Sequence, residues 1–134
     1  MKQSRYFTSI AGIFLLLQGT STLAFRLFPS LDRAFPQLLD ITQMIPIHSI
    51  LHIITGVLAL FVLLRGGERG VFWFAAIFGS FYTGLGIYGI VTDAPTIFML
   101  QPFDHPIHLF VGVWGLLAAG LYMYMTNRKQ QASA

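Results

Sequence analysis

The sequence predicts an all-α polytopic membrane protein, an antiparallel four-transmembrane-helix bundle made of two tandem helical hairpins. Three observations predict it. Of 134 residues, 55% are hydrophobic and only 10% are charged, against about 25% charged in an average soluble domain. A water-soluble chain this short has too much surface for its volume to hide that apolar content, so lipid must supply the missing solvent. Four apolar stretches then stand out, Phe7 to Phe28, Ile47 to Leu64, Val71 to Thr92 and His105 to Thr126. Each holds about 18 to 22 residues, which as helix spans roughly the 30 Å of a hydrocarbon core. Only helices and closed barrels satisfy backbone groups in lipid, and these runs lack the alternation of barrel strands.

The first stretch reads as a retained helix rather than a cleavable signal, because it is long, carries Gln18 and lacks a clear small-x-small site. Residues 29–46 follow as an outer interfacial loop. Leu31, Phe35, Leu38, Leu39 and Ile41 predict a short amphipathic piece within it, lying on the membrane surface. Six residues, Arg65-Gly66-Gly67-Glu68-Arg69-Gly70, separate the second and third stretches, so those helices are antiparallel neighbours. The polar end, residues 127–134, reads as a disordered tail.

Orientation follows from the cations flanking each span. Lys2, Arg5, Arg65, Arg69, Arg128 and Lys129 fall on one side, Arg26 and Arg33 on the other. Both termini are therefore expected in the cytoplasm, with Asp32, Asp40, Asp93 and Asp104 outside. Arg26, near a helix end, is expected to snorkel to the interface. The net charge of +3 is spread singly over helix boundaries, which argues against nucleic acid. With no cysteine, disulfides, thiolate metal sites and thiol catalysis are excluded.

An internal repeat is visible at an offset of 56 residues, which lays Pro46, His52, Gly56 and Val57 over Pro102, His108, Gly112 and Val113. The first and third spans align less well, with Phe7 on Phe72 and Gln18-Gly19 on Thr83-Gly84. Two like hairpins packed about an axis along the membrane normal are expected. The residues His48, His52 and Gly56, then Asp104, His108 and Gly112, carry a resemblance. Over residues 5 to 125 the chain resembles the bacterial membrane family called domain of unknown function 4383. That resemblance implies a small four-helix protein of a bacterial inner (plasma or thylakoid-type) membrane, and no activity. This chain has His48 where the family pattern places Asn or Asp before the histidine.

The four histidines lie near the outer ends of helices two and four. Pro46 suits a first helical turn, and Asp104 reads as an N-cap with its carboxylate at the positive end of the dipole. His48 pairs with His52 by i, i+4 spacing and His105 with His108 by i, i+3. Ionisable groups at such depth face the bundle interior and default to a functional hypothesis. Three readings stand side by side. Neutral His52 and His108 can be structural, bonded across helices to Ser21, Thr22 or Tyr88. They can be axial ligands to a b-type haem, or one of them can hold a chlorophyll-type pigment, with Gly56 and Gly112 making room for the macrocycle edge. Or a divalent metal can be bound by some of His48, His52, His105, His108 and Asp104.

Gln18 and Thr83, near mid-membrane, are expected to make interhelical hydrogen bonds. No Asp, Glu, Lys or Arg sits at mid-membrane, which argues against a secondary transporter. Tyr6, Trp73, Tyr122 and Tyr124 read as interfacial belt residues, and Val71-Phe72-Trp73-Phe74 as lipid-facing. There is no Gly-x-Ser-x-Gly, phosphate loop, dinucleotide-binding glycine pattern or paired carboxylate, so no enzyme is expected. The expectation is a non-enzymatic accessory or structural subunit packed against other membrane protein subunits, or a homo-oligomer. The alternative is a haem-, pigment- or metal-binding protein using the histidines.

Overall fold

Long apolar runs with strong helix formers make helix the only spanning element open to this chain. The computed structural model describes residues 2–42, 44–92 and 100–132. Among the described residues there are six helices, α1 (Lys2–Leu27), α2 (Pro29–Ala34), α3 (Gln37–Thr42), α4 (Pro46–Arg65), α5 (Gly67–Thr92) and α6 (Asp104–Ala132). No strand occurs among the described residues. Four of the helices, α1, α4, α5 and α6, are long and apolar enough to cross a membrane. Their outward faces carry exposed Ile10, Phe14, Leu17, Ile54, Phe61, Ile77, Phe110 and Leu117. An apolar belt of that extent requires lipid around it. The protein is an integral membrane protein.

Each boundary has a local cause. Pro29 and Pro46 open α2 and α4, where a missing N–H goes unnoticed. The piece expected at the membrane surface forms two short helices, α2 and α3, neither with a buried residue. Arg26 at the end of α1 does more than snorkel, since its Nε donates to the Met44 carbonyl at 2.5 Å and ties α1 to the start of α4. Between α4 and α5, Gly66 accepts the helix end and Gly67 turns the chain at φ 58°, a conformation that favours glycine. Residues 127–132 correct the expected disordered tail. They continue α6 to Ala132, because Arg128, Lys129, Gln130 and Gln131 are good helix formers despite their polarity. Asp93 and the final two residues lie outside the described residues.

α1 packs along α4, and α5 along α6, while α1 also touches α6 and α4 touches α5. Small residues set these approaches. A Cβ on Gly56 would stand 2.8 Å from the Leu16 nitrogen and 2.9 Å from the Gly12 carbonyl oxygen; on Gly79 it would stand 2.7 Å from the Leu116 nitrogen and 2.9 Å from the Gly112 carbonyl oxygen. Backbone meets backbone at both places, as close membrane packing requires.

These contacts also reset the repeat. Gly12 faces the Gly56 carbonyl and Leu60 nitrogen, and Gly79 faces the Gly112 carbonyl and Leu116 nitrogen. The α4–α6 offset therefore remains 56, but α1 maps onto α5 at 67, not at the 65 that pairs Phe7 with Phe72. At 67, all eight buried residues of α1 (Ser4, Phe7, Thr8, Ala11, Gly12, Leu15, Gly19, Thr22) fall on the eight buried residues of α5 (Val71, Phe74, Ala75, Phe78, Gly79, Tyr82, Gly86, Gly89).

The core divides along its length. Toward the chain's N-terminus, fully buried Phe7 meets Phe78 and Trp114 edge-on, with ring centroids 5.7 and 5.1 Å away. Phe74, Ala75, Ala118 and Ala119 close around it, and Ser4 Oγ donates to the Ala118 carbonyl at 3.0 Å. Val71 and Phe74 are buried here, which corrects the lipid-facing reading of that stretch; only Trp73 is exposed. Gln18 Oε1 and Thr83 Oγ1 are buried with no hydrogen-bond partner, so the expected bonds from these two atoms are not made. The opposite end of the core is polar.

Candidate functional site

Four buried histidines occupy that end. Pro46 starts α4, so His48 falls in its first turn and His52 one turn further in. The i, i+4 spacing turns both rings inward, and their Nε2 atoms lie 3.1 Å apart with ring centroids at 4.5 Å. One nitrogen donates and the other accepts. From across the bundle α6 contributes His108, whose ring lies 6.2 Å from that of His48. One ligand nitrogen from each of His48, His52 and His108 lies within 4.8 Å of the others. Three imidazoles from two different helices thus converge in the core.

The surroundings hold them tightly. Tyr82 sets its ring edge-on to His108 at 5.0 Å and stacks on Phe78 at 4.1 Å. Nothing in the sequence alone singles out Tyr82, because its place in the repeat emerges only at the offset of 67. Beside the cluster, fully buried Thr22 and Ser49 share a hydrogen bond of 2.8 Å between α1 and α4. Thr22 therefore bonds to Ser49 and not to His52, and Tyr88 is exposed. His52 Nδ1 and His108 Nδ1 are buried without a hydrogen-bond partner.

Two residues of the expected metal set stay outside the cluster. His105 is buried, but its ring packs against Gly89 of α5, where any Cβ would overlap it. A spacing of three residues leaves two side chains about 60° apart around a helix, enough to aim His108 at the core and His105 at α5. Asp104 is no N-cap. It is the first residue of α6, and its Oδ2 reaches back to accept the Gln101 N–H at 2.8 Å. It remains close enough to His48 to act on it electrostatically.

The two glycines expected to make room for a haem face other helices. Gly56 and Gly112, expected to admit a porphyrin edge, are covered by backbone. Gly56 meets Leu16 and Gly12 of α1, and Gly112 meets Thr83 and Tyr82 of α5. Those two glycine faces are taken up by α1 and α5 and are not open to a macrocycle edge. A single small ion needs no such slot. Three neutral imidazole nitrogens are a donor set for zinc, copper or nickel.

No curated protein and no solved structure matches the chain. The model of the family described as domain of unknown function 4383 matches residues 5–124, which takes in α4 and α5, most of α1 and α6, the glycine contacts and the histidine cluster. The chain belongs to that family.

Proposed function

We propose that this is a non-enzymatic membrane protein whose bundle core holds one transition-metal ion between α4 and α6. The convergence of His48, His52 and His108 within 4.8 Å carries the reading. Hydrocarbon penalises polar groups that lack partners, and ionisable residues at this depth mark functional sites more often than not. The flanking cations support an orientation with both termini in the cytoplasm and the histidine end outside. Purified in mild detergent, the protein is expected to carry about one metal ion per chain by mass spectrometry. His52→Ala and His108→Ala, checked as monodisperse, are expected to lose it. Retention of the metal by both variants would sink the reading.

A second reading, packing against another membrane subunit or a second copy, draws on a different observation. Most glycines of α5 and α6 meet a neighbouring helix, but Gly84 has nothing within 4 Å. Exposed Ser80 precedes it by one turn. Such a small-xxx-small face allows close approach of a further helix. Gly84→Leu is expected to leave the monomer folded and to shift cross-linking in native membranes from larger species to monomer. An unchanged pattern would remove this support.

A further inference from the structure

The chemistry of the cluster narrows what it takes. This step rests on the proposed metal centre and asks which ion the residues favour. We infer that the site is built for univalent copper, Cu(I), rather than for a divalent ion such as zinc.

Charge is the first argument. The converging donors are three imidazoles, all neutral when ligating, and no carboxylate joins them among the described residues. His48, His52 and His108 are each at most 5% exposed. The self-energy of an ion in a low-dielectric medium grows with the square of its charge, so a divalent ion carries about four times that of a univalent one. Sites for divalent ions usually offset this with a carboxylate, a thiolate or bound water. The chain has no cysteine, and the nearby carboxylate of Asp104 is turned to the Gln101 N–H.

Coordination number is the second. Structural zinc is almost always tetrahedral, and where the protein supplies three ligands a water completes the set. Here the three histidines are buried, and Tyr82 lies edge-on against His108. Cu(I) is satisfied by three donors in a plane without a water, and imidazole suits copper.

Binding replaces the hydrogen bond between His48 and His52. The proton on whichever Nε2 carries it moves to Nδ1, each ring stays neutral, and no proton leaves. The test is an anaerobic titration of the detergent-purified full chain with Cu(I), in competition with the chromogenic chelator bicinchoninate, beside a zinc titration. The inference expects one Cu(I) per chain and no comparable uptake of zinc. His52→Ala and the more shape-conserving His108→Gln are expected to weaken copper binding by about 100-fold or more, beyond the range typical of outer-shell changes. Asp104→Asn, which removes a neighbouring charge but no ligand, is expected to weaken it far less. Histidine-dependent zinc binding without Cu(I) binding, or loss of Cu(I) in Asp104→Asn, would overturn the choice of ion and leave the metal centre standing. Binding of neither ion would overturn both.

Discussion

Gly112→Leu is expected to prevent the bundle from forming. Any side chain at Gly112 points into α5, where an added Cβ would stand 2.6 Å from Thr83 Oγ1 and overlap the Thr83 backbone nitrogen. A hydroxyl can rotate away; backbone cannot. Relief requires parting α5 from α6, which also carries the Gly79 contact with the Gly112 carbonyl. Overpacking that side chains can absorb costs about 1–3 kcal/mol, and a clash with backbone is expected to reach or exceed the top of that range. Gly120→Leu on the same helix is the control, because Gly120 has nothing within 4 Å. Size-exclusion traces after stepwise heating should show Gly120→Leu resembling wild type and Gly112→Leu aggregated at every temperature. Equal tolerance of the two would mean that α5 and α6 are not in backbone contact.

The second large effect has an unusual sign. His108→Leu is expected to stabilise the metal-free protein while removing its metal. Its buried Nδ1 has no partner, and an unsatisfied buried polar atom costs about 1–3 kcal/mol. Leucine of similar bulk removes that cost and keeps contact with Tyr82. Under chelator, the midpoint of thermal unfolding should rise in the variant. With saturating metal the order should reverse, since a ligand at 1,000 times its dissociation constant adds about 4 kcal/mol to the wild type alone. A fall in the chelator-treated midpoint would instead make His108 a structural residue.

Much of this was readable beforehand, for physical reasons. Hydrocarbon forces spans to be long, apolar and helical, so α1, α4, α5 and α6 follow from composition and window length. The depth of the histidines follows from Pro46 and from the repeat of α4 in α6. The pairing of α1 with α5 was hidden. Identities at 65 residues, such as Phe7 with Phe72, are cheap among apolar helices, whereas the offset of 67 is carried by burial and by the small residues Gly12, Gly19, Gly79 and Gly86, which say nothing until their neighbours are known. The repeat at 56 also lays His48 on Asp104 and Ser49 on His105. The cluster is therefore asymmetric, with two imidazoles from α4 and one from α6. Periodicity alone could not separate His105 from His108, because three-residue spacing puts both on one broad face and only the position of Gly89 decides which ring turns aside.

X-ray absorption at the metal edge of the loaded protein is the most direct test of the three-imidazole centre. The account predicts a first shell of three nitrogen scatterers at about 2.0 Å, with the multiple-scattering pattern of imidazole. A shell dominated by oxygen, or one unchanged when His52 is replaced, would contradict it.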